Sequence, residues 1–468
     1  MKGKLLSLLL IVTMTIGLLN SASPFGKAQS GTNVSYIIGS DTTWTQANSP
    51  YNFTGNILVN QGVTLTIGAD ATVNLNYYYV RVNGTLIIQP GATINIGLIG
   101  DGIDVYGTMS AEGTSANPIN IIGSVQGHII VAFYSAVTFF PSSISWDPNT
   151  NSGSLIENTI FNDTGLEVQS DIRISDSTFL NGGLTVESAS PTIVNNDIAT
   201  GLSVIQNPNL SYNVANGTEI QPEISNNKIS GGLFLDAGSG IVDDNTISAG
   251  SSYTGALSID DEYSVPISTL ILRNLINDSP IGISCNIQSS YNNKAIIENN
   301  TVTNNTVGVQ IGSTNVPSVT NNNIYGNSYN VKLSGVSSQI SLPNNWWGTT
   351  DVQAINKTMY DFKYDFNLGT INFLPILESA NPEATPNPTA PTSSPTPSTP
   401  SPTASANSPS SSPSSQQTSS PSSSRSPSQK SSSTFTSTVL VAVVAIIIVV
   451  VAVVAFSLGK RTARKSNP

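Results

Sequence analysis

One six-residue pattern recurs nine times between Leu155 and Trp347, and it leaves few folds open to the chain: aliphatic, any residue, polar, Asn, any residue, apolar. The aliphatic column reads Leu155, Ile174, Ile193, Ile224, Val242, Ile271, Ile297, Val319 and Leu342, which requires a buried position. The Asn column reads Asn158, Ser177, Asn196, Asn227, Asn245, Asn274, Asn300, Asn322 and Asn345. The apolar column reads Ile160, Phe179, Ile198, Ile229, Ile247, Ile276, Val302, Ile324 and Trp347. Successive copies lie 18 to 31 residues apart, a solenoid period. Each copy is too short to own a core, so it buries its apolar side chains only against the copies before and after it.

A strand, a tight bend and a second strand fit each copy. Asn suits a bend because it tolerates the left-handed backbone region and its amide bonds nearby backbone groups. Stacked at strand spacing of about 4.8 Å, the amides can also bond one another as a ladder. The expectation is an all-β chain built as a parallel β-helix of about 13 to 15 coils.

A second repeat precedes the first. Thr64–Leu75 (TLTIGADATVNL) aligns with Thr85–Ile96 (TLIIQPGATINI), and apolar residues alternate in both, as in strands with one buried face. Gly84 and Gly107 mark equivalent bends. Trp146, within the turn-rich insertion Pro141–Gly153, is expected to fold back over the solenoid.

The remaining segments fall into place around this body. Residues 1–28 read as a signal peptide, with Lys2 and Lys4 before an apolar run. Residues 29–54 lack the repeat and are expected to form an amino-terminal cap, because an open β-helix end exposes strand edges. The β-helix is assigned to 55–348 and a carboxy-terminal cap to 349–378, with Trp346 and Trp347 closing the stack. Residues 379–434 are nearly all Pro, Ser, Thr, Ala and Asn, a composition that builds no core and predicts a disordered stalk. Residues 435–459 contain the apolar run Val439–Leu458, expected to span a membrane as one helix. The basic tail 460–468 then lies in the cytoplasm and the body outside the cell.

Charge narrows the partners. Of the 28 acidic residues all but Glu383 lie between Ser30 and Glu378, whereas only 8 of the 17 basic ones do, so the body carries about −19. That sign argues against nucleic acid. The single cysteine, Cys285, leaves no intramolecular disulfide and reads as a small core residue.

Three chemistries come into question. Asp260, Asp261 and Glu262 lie in one loop and offer oxygen ligands for calcium, with solvated charge as the plain alternative. Tyr77, Tyr78 and Tyr79 are consecutive, so at least one ring must face outward, where it suits a glycan or a partner. Arg273 follows Asp244 in the polar column, which predicts an ion pair between neighbouring coils. No residue set forms a recognisable catalytic motif, and no catalytic residue is assigned.

The Asn ladder, the TLTI and PGATI coils and the closing NNWWGTTD with its LGTINFLPIL tail resemble right-handed parallel β-helix proteins of the pectate-lyase-like superfamily. The closest likeness is to NosD-like repeat proteins of archaeal and bacterial cell surfaces, over about Trp44 to Leu377. The resemblance implies the fold; its functions range from polysaccharide lyases and hydrolases to adhesins and surface-layer components. Copper handling, which the NosD likeness suggests, fits poorly with a mature chain holding one His, one Cys, Met109 and Met359. The expected role is therefore envelope structure, adhesion or glycan binding, with polysaccharides or other envelope proteins as partners; a polysaccharide lyase or glycoside hydrolase is the alternative.

Overall fold

The computed structural model describes residues 31–97, 102–123, 135–206, 220–236, 239–250, 255–260, 268–287 and 295–386. The signal peptide, most of the stalk, the apolar run 439–458 and the basic tail lie outside them. Among the described residues no helix is long and apolar enough to cross a membrane.

Three parallel sheets of 13, 14 and 12 strands make up the body, and every third strand in sequence joins the same sheet. A chain that visits three sheets in rotation winds as a coil, which makes the body a parallel β-helix solenoid. Its interior is one continuous apolar column from Val34 to Phe373.

The aliphatic column is a register column. In the 12-stranded sheet Ile174, Ile193, Ile224, Val242, Ile271, Ile297 and Val319 each lie opposite the next, all buried. The first copy is out of phase with the expected alignment: Ile156 pairs with Ile174, and Leu155 lies opposite Arg173. In that copy Thr159 holds the ladder position, Phe161 the inward apolar one, and Ile160 turns outward. Strand side chains alternate faces, so a slip of one residue exchanges inside and outside. Asn158 accounts for the slip because it occupies the neighbouring bend position, with φ of 46°, where Asn is equally at home.

The bend itself is also one residue earlier than expected. The left-handed residues are Asp176, Asn195, Asn226, Asp244, Arg273, Asn299, Asn321 and Asn344. The ladder residues that follow act through their amides. The backbone N–H of Ser177 donates to Asn196 Oδ1 at 2.9 Å, and the same bond repeats from Asn196 to Asn227, Asn245, Asn274, Asn300, Asn322 and Asn345. Asn274 Nδ2 shares its hydrogens among Val242 O (2.9 Å), Leu272 O (2.8 Å) and Asn300 Oδ1 (2.9 Å). Each amide thus ties three coils together and satisfies carbonyls that the bend leaves unpaired.

Residues 32–53, expected to form a cap, hold the first strand of every sheet: Thr32–Val34, Ile37–Ile38 and Thr42–Trp44. Trp44 stacks on Tyr51 (5.0 Å between centroids) and meets Phe53 edge-on (5.9 Å), so aromatic rings fill this first coil from within. The TLTI strands pair as aligned, Thr64–Ile67 with Thr85–Ile88. A Cβ on Gly107 would lie 2.2 Å from Gly84 O, which explains why both bends are glycine. The insertion folds back as expected: Trp146 N–H donates to Asp171 O (2.8 Å), and the Arg173 guanidinium lies 5.8 Å from its ring.

At the other end, Asp351 caps the helix Val352–Lys357 by accepting from Gln353 N and Ala354 N, an N-cap arrangement. Ile355, Met359, Ile371 and Phe373 of this segment are buried. Met359–Tyr360 extends the 14-stranded sheet beyond Val331–Lys332. Trp347 is buried and meets Phe373 edge-on at 6.4 Å, while Trp346 is half-buried and bonds through its backbone to Asn322 and Ile324.

Beyond Leu377 the chain turns back along the flank of the solenoid, over residues the composition assigned to the stalk. Asn381 N donates to Asn323 Oδ1 (2.8 Å), Asn323 Nδ2 returns a bond to Asn381 O (2.9 Å), and Asn381 Nδ2 donates to Asn299 Oδ1 (2.9 Å) and Asn321 O (2.6 Å). Thr301 Oγ1 bonds Ala384 O, and Ala384 is wholly buried. Residues 375–386 therefore strap the last coils together.

Candidate functional site

The three consecutive tyrosines separate. Tyr77 takes a left-handed bend and is 66% exposed, Tyr78 packs on the core, and Tyr79 stands on the outer face of the 14-stranded sheet. The Arg81 guanidinium lies 5.6 Å from the Tyr79 ring and 5.1 Å from the Tyr106 ring, and its Nη2 is 3.4 Å from Asp104 Oδ2. Tyr106 in turn stacks on Phe140 at 4.2 Å and 4°. Ring faces here are taken by one another and by the cation, so Tyr77 is the one of the three that offers a ring to solvent.

Farther along the same face, Gln169 Nε2 donates to Glu167 Oε1 (2.6 Å) and Glu187 Oε2 (3.2 Å). Burial pushes the Glu167 carboxyl up, offset by the Gln169 bond and reinforced by the Glu187 charge. Two carboxylates bridged by an amide make a polar clasp.

Asp260 ends the strand Leu257–Asp260, in register with Asp236 before it and Asn286 after it. Asn286 Nδ2 donates to Asp260 Oδ2 at 3.4 Å. Asp261 and Glu262 lie outside the described residues. Among the described residues no three His, Cys, Asp or Glu side chains converge.

Arg273 does bridge neighbouring coils. Its Nε is 3.4 Å from Asp244 Oδ1, and its Nη2 contacts Asp243 Oδ2. Burial first, then the Asp244 charge, push the Asp243 carboxyl up, against the pull of Arg273. Glu157 behaves alike on an earlier coil, raised by burial and by Asp176 and Glu112, and lowered by Arg173. Arg273 is engaged by both carboxylates, as in structural ion pairs, and Arg173 lies against the Trp146 ring.

Cys285 is buried in the core, and burial pushes its thiol up to about 12, leaving it a packing residue without thiolate character.

Within the carboxy-terminal segment, whose Phe373 is buried against Trp347, three aromatic residues face solvent. Phe362 is 54% exposed, Tyr364 48% and Phe366 79%. They sit on a loop closed by Phe362 N donating to Gly369 O (2.8 Å) and pinned by Asp361, whose carboxylate accepts from Lys363 Nζ (2.7 Å) and Ile371 N (3.1 Å). The sequence marks this segment as a cap, with a ligand platform as the alternative, and does not tell which of its rings face solvent; the alternation DFKYDF is the available sign of a surface loop. Comparison with protein-family models, with curated proteins and with solved structures finds no match to the chain, and its kinship in architecture rests on its own strand order, that of a parallel β-helix solenoid.

Proposed function

We propose that the chain is a membrane-anchored cell-surface protein, a right-handed β-helix akin to NosD-like repeat proteins of the pectate-lyase-like superfamily, with an envelope-structural, adhesive or glycan-binding role. The observation that carries this reading is where apolar surface is left open. Of twelve large apolar side chains exposed among the described residues, five (Val352, Phe362, Tyr364, Phe366 and Leu374) fall within one short segment. Apolar side chains clustered in solvent mark contact surfaces, and three of these, Phe362, Tyr364 and Phe366, are held on a loop braced by Asp361. An acidic body of about −19 suits solubility outside the cell. The apolar run 439–458 followed by basic residues supports the anchor and its orientation.

A second reading, a polysaccharide lyase or glycoside hydrolase, is favoured by the meeting of Asp243, Asp244 and Arg273 from adjacent coils. A raised carboxyl beside a second one is the arrangement that glycoside hydrolysis uses. Against it, Arg273 is held by both carboxylates and is not free to act as a base.

Incubating the purified chain with acidic and neutral polysaccharides, with and without calcium, separates the two. The surface reading expects retention on a glycan array and no new chain ends. Calcium-dependent release of unsaturated or reducing ends that Asp243→Asn abolishes would establish the enzyme instead.

A further inference from the structure

Most described cations of the body are paired with carboxylates, Arg173 against the Trp146 ring being the exception, and at the carboxy-terminal end Lys363 is paired with Asp361 whereas two further lysines are not. Arg81, Lys228 and Arg273 are each paired with carboxylates of neighbouring coils. Lys332 and Lys357 have no such partner among the described residues. The Lys332 ammonium lies 5.4 Å from the Tyr360 ring centroid, and the Lys363 ammonium 5.5 Å from that of Tyr364. Tyr360 and Tyr364 stack on each other at 5.2 Å and 7°, and Tyr329 meets both edge-on at 5.2 and 5.9 Å. The Tyr364 hydroxyl donates to Lys357 O at 3.0 Å, which ties the exposed lysine to the same cluster.

We infer that this tyrosine and lysine cluster is a binding site for an acidic saccharide, one bearing carboxylate or sulfate groups. Stacked rings braced by an edge-on third give a rigid platform, and exposed rings beside it cover the apolar face of a sugar. A modest cation–π attraction to the Tyr360 ring orients the Lys332 ammonium without neutralising its charge. Lys332, like Lys357, has no carboxylate partner among the described residues and remains able to pair with an anion.

The acidic residues of this end are occupied internally. Asp351 caps its helix, Asp361 holds Lys363 and the Ile371 N–H, and Asp365 accepts from Asn367 N and Nδ2. Between Tyr329 and Leu374 three lysines balance three aspartates, while the body as a whole carries about −19. A polyanion is therefore repelled from the flanks and admitted at this end, so the field selects the site as well as the ligand.

The inference rests on the glycan-binding reading and narrows it. Its test uses the full chain in nanodiscs, titrated with alginate oligosaccharides (uronate), with dextran (neutral) and with phosphatidylglycerol vesicles. Alginate should bind, its affinity should fall with salt, and Lys332→Gln with Lys357→Gln should weaken it at least about tenfold while leaving the fold unchanged by circular dichroism. Tyr364→Ala should weaken alginate binding by a similar factor. Dextran binding equal to alginate and indifferent to the lysine variants would overturn the acidic-ligand inference and leave the broader reading standing. Alginate binding unaffected by all three variants would overturn the placement of the site. Vesicle binding that needs the lysines, without alginate binding, would reassign the patch to a lipid surface and overturn the saccharide. Failure to bind either saccharide would overturn the inference, while retention of other glycans on the array would leave the parent reading standing.

Discussion

Asn274→Ala is expected to cost about 3–5 kcal/mol, among the largest effects of any single side chain in the body. The side chain is fully buried, and its amide serves both neighbours. Its oxygen accepts from Asn245 N (2.9 Å) and Asn245 Nδ2 (3.0 Å), and its nitrogen supplies Val242 O, Leu272 O and Asn300 Oδ1. Alanine strands the Asn245 N–H and at least one carbonyl away from water, and each orphaned buried group costs about 1–3 kcal/mol. Solenoids lose stability locally, so the readout is amide exchange along the coils as well as chemical unfolding. The Asn245 N–H should lose its protection first. Serine, which the chain itself uses at Ser177, should cost less than alanine, because a hydroxyl still accepts from the preceding backbone N–H as it does from Thr159. Equal losses for the two variants would show that the amide ladder contributes no more than its volume.

Phe161→Ala is expected to cost about 3–5 kcal/mol as well, for a different reason. Phe161 and Phe179 are fully buried and stack at 4.7 Å and 4° in the 13-stranded sheet. Removing one ring leaves a cavity that the coils above and below cannot close, because their spacing is set by backbone hydrogen bonds. Phe161→Leu should recover most of the loss by filling the space, whereas Phe179→Ala in the same chain should add less than its single effect. A loss for Phe161→Ala below about 1 kcal/mol would mean that this part of the core collapses freely.

These two sites also show what the sequence disclosed. Three columns in phase carried the parallel β-helix and its interior, since Ile193, Ile224 and Ile297 do lie in one register column. The phase departs from expectation only at Leu155, where the ladder residue is Thr159 and an Asn sits in the adjacent bend. Residue type alone cannot separate two neighbouring positions that both favour Asn. A second ladder escaped notice: Ser279 N donates to Asn305 Oδ1 (3.1 Å), and Asn305 N donates to Asn327 Oδ1 (2.9 Å). With Ala249 N donating to Ser279 Oγ (2.8 Å) it spans four coils, only two of them with Asn at the ladder position, too few for a column to stand out among many asparagines.

The candidate site was less legible. Its chemistry depends on which of several tyrosines and lysines meet at the end of a sheet, and that follows from how the segment after Trp347 folds over the last coil. The expected amino-terminal cap dissolved into an ordinary coil because Trp44, Tyr51 and Phe53 occupy inward positions that aliphatic residues fill elsewhere. Composition placed Asn381 in a stalk because that argument measures capacity to build a core, whereas hydrogen bonds hold this residue.

That docked stretch changes how the body would bear load. Tension arriving through the chain after Pro386 meets Ala384 and Asn381, beside Thr301 and Asn323, before it reaches the last coil. The weakest link is then a handful of side-chain bonds, and their rupture releases residues 378–386, beyond the backbone bond from Leu377 N to Asn345 O, about 30 Å of slack at 3.3 Å per residue. A force-extension trace should open with a step of that length and should lose it in Asn381→Ala. The solenoid would carry a sacrificial fuse, one that yields and reseats while the coils behind it stay wound.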